Sequence, residues 1–78
     1  MPVDASQQGL VAIAAAITLA GSALATAWAE KVIGAASVGA IAEKPELFGR
    51  VLPLVVIPET IVIFGLIISF LLLGQLSG

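Results

Sequence analysis

Two long apolar runs separated by one short charged segment constrain this chain more than any other feature of its sequence. Residues 10–29 form an uncharged run of twenty residues, and residues 51–76 form a second apolar run that contains a single ionisable residue. A helix needs about 20 apolar residues to cross the hydrocarbon core of a bilayer. Both runs reach that length. The sequence therefore predicts an all-α membrane protein, a helical hairpin of two transmembrane helices.

The boundaries of the hairpin follow from its polar residues. After Glu30 and Lys31 the apolar pattern resumes and continues to residue 42, and Pro45 ends the helix because the residue before a proline is pushed out of the α region. We predict a single hairpin domain over residues 1–78, with helix 1 at about 8–43, a loop at about 44–49 and helix 2 at about 50–76. Residues 1–8 contain no Lys or Arg, which disfavours a cleaved signal peptide.

Composition excludes several classes of function. Hydrophobic residues make up 60% of the chain and charged residues only 10%, against about 25% charged residues in a soluble domain. The absence of Cys and His removes disulfides and the usual zinc sites, so no metal centre is expected. Three Lys and Arg residues in total disfavour nucleic acid as a partner.

The few basic residues predict the orientation of the hairpin. Lys44 and Arg50 both lie in the loop, whereas the N-terminal tail carries only the acidic Asp4. Because cytoplasmic loops are enriched in Lys and Arg, we expect a cytoplasmic loop and both termini outside.

The two helices differ in the size of their side chains. Helix 2 is composed mostly of Leu, Ile, Val and Phe, whereas helix 1 is rich in small residues. Helices in lipid associate through close backbone approach at small side chains. We therefore predict that several copies of helix 1 pack together, with helix 2 outside them against lipid. The alternating small residues predicted to form this packing face are Gly21, Ala23, Ala25, Ala27 and Ala29.

The ionisable residue of the second apolar run, Glu59, is the main candidate for function. It lies thirteen residues after Glu46, and therefore about 20 Å from the loop at 1.5 Å per residue. An acidic residue at such a depth costs roughly 2.5 to 3.5 kcal/mol and indicates a functional site. A structural hydrogen bond between helices is the simpler alternative. An acid that alternates between protonated and charged forms, in a hairpin that self-associates, is typical of an ion carrier.

Other residues near Glu59 strengthen that interpretation. In a hairpin that turns between residues 44 and 45, facing residues have numbers that add up to 89, which places Glu30 level with Glu59. Two carboxyl groups in one buried layer cannot both ionise cheaply, so at least one should hold a proton or share a cation. Pro58 predicts a kink and a freed carbonyl at Leu54, and Thr60 adds a hydroxyl. Lys31 either neutralises Glu30 or extends away from this layer.

The sequence resembles the proteolipid, or c-type, rotor subunits of rotary ATP synthases, and within them the single-hairpin bacterial and archaeal V/A-type more than the F-type. The motif around the acid, Ile57-Pro58-Glu59-Thr60 followed by Phe64-Gly65, is similar to the family's Pro-Glu-Thr and aromatic-Gly pattern. The loop also resembles the V/A-type pattern of acidic-x-Pro-acidic-x-Phe-Gly-basic. Its residues are Ala42-Glu43-Lys44-Pro45-Glu46-Leu47-Phe48-Gly49-Arg50.

The resemblance implies a homo-oligomeric ring in the bacterial or archaeal cytoplasmic membrane, in which Glu59 binds the coupling ion and Glu30 assists it. It further implies a stator membrane subunit that supplies an Arg and two half-channels. The chain itself would hold no catalytic residue and no cofactor, only the translocated ion. The loop would dock on the central stalk through Lys44, Pro45, Glu46, Phe48, Gly49 and Arg50.

The sequence favours a proton over sodium as the coupling ion. Sodium needs several oxygen ligands, of which Glu59, Glu30 and Thr60 could supply some, whereas a proton needs one carboxyl group and an acceptor. Lys31 beside the site, and Phe64 where many family members carry Tyr, both weaken a cation cage. Sodium stays as the alternative ion. A small non-enzymatic membrane pore or assembly protein stays as the alternative function.

Overall fold

The computed structural model describes residues 3–77, which form a helical hairpin. Its elements are helix α1 (Ala5–Glu43), a 3-10 turn (Pro45–Leu47), helix α2 (Phe48–Val56) and helix α3 (Glu59–Ser77). Within residues 3–77 no residue lies in a strand. The all-α hairpin predicted from the sequence is confirmed.

Helix α1 accounts for the length of the molecule. It contains 39 residues, which at 1.5 Å per residue span about 58 Å, close to the 57 Å long axis of the hairpin. The hydrocarbon core of a bilayer is only about 30 Å thick, so the ends of α1 extend past it. The helix begins three residues before the predicted start and ends at Glu43. Lys44 is extended because Pro45 follows it.

The second half of the hairpin is two helices rather than one. The sequence predicts a continuous helix 2 from about residue 50 to 76, whereas α2 begins at Phe48 and the helix is interrupted at Ile57 and Pro58 before α3 resumes at Glu59. Pro58 has no N–H to donate to the carbonyl of Leu54, and its ring crowds that carbonyl, which accounts for the interruption. At Pro58 the regular α-helical bonding is interrupted, although Ile57 keeps helical dihedral angles and its amide donates to the carbonyl of Pro53 at 3.0 Å.

The face between the two halves is lined by small and hydroxyl-bearing residues. Gly65 marks the closest approach: a Cβ built on it would lie 2.7 Å from the Cβ of Ser22 and 3.4 Å from the backbone oxygen of Thr18. Only a glycine permits this separation of the helices. The buried residues of this face are Ala15, Thr26 and Ser37 on α1, and Pro58, Gly65 and Ser69 on the second half.

Two hydrogen bonds between buried groups fix how the two halves are aligned. The hydroxyl of Thr26 donates to the carbonyl oxygen of Pro58 at 3.0 Å, and the hydroxyl of Ser69 donates to the carbonyl oxygen of Ala15 at 2.8 Å. The numbers of the bonded residues add up to 84 in both pairs, instead of the predicted 89. The extended Lys44 and the 3-10 turn advance the chain further per residue than an α-helix does, and this shifts the alignment.

The outer surface of the hairpin is apolar. Segments Ala5–Glu43 and Pro45–Leu76 are both long and apolar enough to cross a membrane, and only 11% of the most apolar stretch of each is buried. Large side chains such as Leu24, Trp28 and Phe70 are exposed on the hairpin. Lipid or other protein must cover this surface, because an apolar surface of this size is unfavourable in contact with water.

Candidate ion-binding site

Glu59 lies at the point where the second membrane-crossing segment is broken. It is the first residue of α3, directly after Ile57 and Pro58. Pro58 is buried against α1, while Glu59 is exposed on the outside of the hairpin. The break therefore separates an inward-facing proline from an outward-facing carboxyl group, which another protein or a neighbouring copy can reach.

The backbone around Glu59 is held by short local bonds. The amide and the hydroxyl of Thr60 both donate to the carbonyl of Ile57, at 3.0 and 2.7 Å, and the amide of Ile61 donates to the carbonyl of Pro58 at 3.1 Å. These bonds span three residues and close the break as a turn. The Thr60 hydroxyl is thereby held on the backbone of its own turn.

The second predicted acid, Glu30, lies on α1 in a partly buried position. Its Oε1 atom is buried and has no hydrogen-bond partner in the hairpin. Such an atom costs free energy unless another group, ion or proton satisfies it. Lys31, the next residue, is exposed.

Glu30 and Glu59 are not directly level, as the predicted alignment would have them. With the observed alignment, Glu59 lies level with residue 25, so the two acids are offset along the hairpin by five residues, or about 7 Å. Helical side chains tilt toward the N-terminus of their own helix. Because the two helices are antiparallel, this tilt brings the two carboxyl groups toward each other's level. Their joint role as an ion site stays a prediction.

The predicted ring-packing residues lie mostly outside the contact between the two halves. Gly21, Ala23, Ala25 and Ala27 are exposed, and Ala29 is partly buried. The hairpin thus uses hydroxyl-bearing residues for its internal contact and leaves the small residues of α1 uncovered.

The predicted docking loop forms the tip of the hairpin. Lys44 is extended, Pro45 and Glu46 begin the 3-10 turn, and Phe48, Gly49 and Arg50 form the first turn of α2. All six residues are exposed, including the Phe48 ring at 56%. An aromatic ring exposed between charged residues suits a protein partner better than water.

Sequence reasoning missed Thr26 and Ser69, the two residues whose side-chain hydroxyls bond the two halves together. A signal for Thr26 was present: the three buried residues of α1, Ala15, Thr26 and Ser37, are spaced by eleven residues, which is three helical turns. Both hydroxyls lie within apolar runs, where a polar side chain needs a partner.

Fold and site together define a class of protein: a two-helix membrane hairpin with an exposed carboxyl group at a break in its second membrane-crossing segment. Residues 13–72 match the family model of the ATP synthase C-subunit. The chain is also 33% identical over 73 residues to the ATP synthase c-subunit of Carboxydothermus hydrogenoformans, covering 88% of this chain and 89% of that protein. The chain belongs to the ATP synthase C-subunit family. It is an integral membrane protein and a c-type proteolipid rotor subunit.

Proposed function

We propose that this chain forms the rotor ring of a V/A-type rotary ATP synthase or ATPase, and that it carries protons on Glu59. The observation that carries the proposal is the position of Glu59, exposed on the outside of the hairpin at the break in an apolar helix. A carboxyl group in this position can exchange an ion with a partner that it passes. Membership in the ATP synthase C-subunit family supports a rotor over a pore or an assembly protein.

Each hairpin would act as one carrier in a homo-oligomeric ring. Glu59 would take up an ion from one half-channel of the stator membrane subunit and pass through lipid in neutral form, because a charged carboxylate is costly there. An Arg of the stator would then favour release into the other half-channel. The exposed small residues from Gly21 to Ala27 would let neighbouring copies of α1 pack closely.

The proton is favoured over sodium by the groups around the acid. A sodium ion requires several oxygen atoms at close range, but the backbones of Glu30 and Glu59 are offset by about 7 Å along the hairpin, a distance that their side chains must bridge. The Thr60 hydroxyl donates to its own turn, and Phe64 offers no hydroxyl. A proton requires only the Glu59 carboxyl group and one acceptor, for which Glu30 is the acidic candidate on α1.

The tip of the hairpin supports assignment to the V/A-type and binding of the central-stalk subunits. Phe48, Gly49 and Arg50 follow the acidic and proline residues of the turn, as in the V/A-type loop, and all three are exposed. This surface would bind the central-stalk subunits. The basic residues Lys44 and Arg50 favour a cytoplasmic tip with both termini on the outer side.

The proposal is tested by carbodiimide labelling of the purified ring in detergent from pH 5.5 to 9, with and without sodium. The reagent modifies protonated carboxyl groups, so it should label Glu59 at a pH where carboxyl groups in water do not react. Glu59→Gln should abolish both labelling and ion-driven ATP synthesis while the ring stays assembled. Glu43→Gln, which alters an acid near the tip, is the matched control and should retain both.

The outcomes separate the parts of the proposal. Labelling of Glu59 that sodium does not slow supports proton transport. Slower labelling in sodium would keep the rotor and reverse the choice of ion. Retained ion-driven synthesis in Glu59→Gln would refute Glu59 as the carrier.

A further inference from the structure

The hydrogen bond from Thr26 to Pro58 acts on the peptide group that Glu59 shares. The carbonyl of Pro58 and the amide of Glu59 belong to one planar peptide unit, so a group that fixes the carbonyl also restricts the backbone at Glu59. Thr26 is 6% exposed, and its hydroxyl donates to this carbonyl at 3.0 Å across the hairpin. The Glu59 side chain is exposed, and Thr26 acts on the residue through this shared peptide.

The choice of acceptor by Thr26 is informative. A threonine within a helix commonly donates to the carbonyl four residues earlier on its own helix, as Thr18 does to Ala14 at 2.8 Å. Thr26 instead donates to a residue 32 positions away. The acceptor lies at the interruption of the second segment, where the same carbonyl also accepts the amide of Ile61 at 3.1 Å.

Lipid strengthens the effect of this bond on position. In water, solvent molecules would form hydrogen bonds with a backbone group exposed where a helix is interrupted, but the hydrocarbon core contains no water to do so. Across the break, the bonds of Thr60 and Ile61 tie α3 to its own turn, whereas the Thr26 bond ties the turn to α1.

We propose that Thr26 is a positioning residue for the ion carrier, which holds the Pro58–Glu59 peptide against α1 and thereby sets the orientation of the Glu59 side chain. This inference depends on the proposed role of Glu59. Hydrogen bonds between membrane helices are worth roughly 0.6 kcal/mol on average, which corresponds to about a threefold change in the ratio between two orientations. Ion-driven ATP synthesis should therefore fall by up to about threefold when the Thr26 hydroxyl is removed.

The test compares three variants in the assembled ATP synthase. Thr26→Val removes the hydroxyl with little change in shape, and Thr26→Ser retains it. Ser69→Ala is the matched control, because the Ser69 hydroxyl makes a buried bond of the same kind to Ala15, ten residues from Glu59. The readouts are ATP synthesis per assembled ring and the solid-state NMR signals of the Pro58 carbonyl and the Glu59 amide.

We expect Thr26→Val to lower synthesis by up to about threefold and to shift or broaden both NMR signals, while Thr26→Ser restores them and Ser69→Ala leaves both signals unchanged. Unchanged signals in Thr26→Val, or the same changes in Ser69→Ala, would refute a positioning role. If Thr26→Val yields no ring, the test is made on the wild-type ring by solid-state NMR. The proposal then requires a correlation between the Thr26 hydroxyl proton and the Pro58 carbonyl carbon, and its absence would refute the proposal. Loss of synthesis in Glu59→Gln tests the carrier separately from Thr26.

Discussion

Gly65→Ala is expected to force the two halves of the hairpin apart, because no space exists for the added methyl group. The new Cβ would lie 2.7 Å from the Cβ of Ser22, whereas ordinary contacts begin near 3.4 Å. The two carbons need about 0.7 Å more separation, the difference between those two distances. Rotation of the Ser22 hydroxyl does not help, since its Cβ cannot move without the α1 backbone.

The cost of this change follows from the behaviour of overpacked interiors. An extra methyl group in a well-packed contact costs typically 1 to 3 kcal/mol, which is roughly a 5- to 150-fold loss in the equilibrium between packed and separated helices. Lipid provides no hydrophobic drive to compress the contact again. We expect unfolding of the purified ring in a titration with sodium dodecyl sulfate to begin at a lower detergent fraction. Fluorescence of Trp28, the single tryptophan, reports the transition.

Two further variants make the prediction specific. Ser22→Gly removes the Cβ and Oγ atoms with which the new methyl group would clash. The nearest remaining atom is then the Thr18 backbone oxygen at 3.4 Å, so the variant that combines Gly65→Ala with Ser22→Gly should recover most of the loss. Gly74→Ala, where a new Cβ meets nothing within 4 Å, controls for glycine replacement on the same helix. A Gly65→Ala ring as stable as the wild type, or a double variant with no recovery, would contradict the reasoning.

Three other changes address the acid, the break and the outer face of α1. Glu30→Gln should reduce ion-driven synthesis less than Glu59→Gln does, and an equal loss would mean that the two acids act as one site. Pro58→Ala reverses the loss of the amide donor and the ring clash, which together cost a helix about 3 kcal/mol or more, so the ring should resist detergent at least as well while synthesis falls. Ala25→Leu should disrupt ring assembly on native gels but leave the helical content by circular dichroism unchanged, because Ala25 is exposed on the hairpin; normal rings would contradict its place in copy-to-copy packing.

The sequence was sufficient for the hairpin because length and composition determine it. Two apolar runs of membrane-spanning length, a charged turn and Pro45 leave few alternatives, and α1 ends at Glu43. The alignment of the halves was not predictable in the same way. Counting 1.5 Å per residue through the turn ignores the extended Lys44 and the 3-10 geometry that follows it. These few residues shift every facing pair by five positions.

The details of the site depend on contacts that no local pattern contains. Pro58 predicts a distortion, but whether it becomes a kink or a break depends on what stabilises the freed backbone. Thr26 contacts this region from 32 residues away, through the carbonyl of Pro58 rather than the freed carbonyl of Leu54. The exposure of Glu59 likewise depends on which side of α2 and α3 packs against α1. Pro58, Gly65 and Ser69 form that buried side, and Glu59 lies outside it.

The two faces of α1 therefore have different tasks, and the difference bears on ion transport. Hydroxyl bonds are directional, so the Thr26 bond holds the Pro58–Glu59 peptide at one position along α1, while the Ser69 bond does the same for α3 ten residues from Glu59. In a ring of identical hairpins every copy has the same bonds, and each Glu59 then lies at the same height relative to its own α1. A stator with fixed half-channels can exchange ions only with carriers at one height. If Glu59 is the carrier and the exposed small residues of α1 set the spacing between copies, as we propose, the internal hydroxyl bonds supply a geometric condition for rotation that this spacing does not supply.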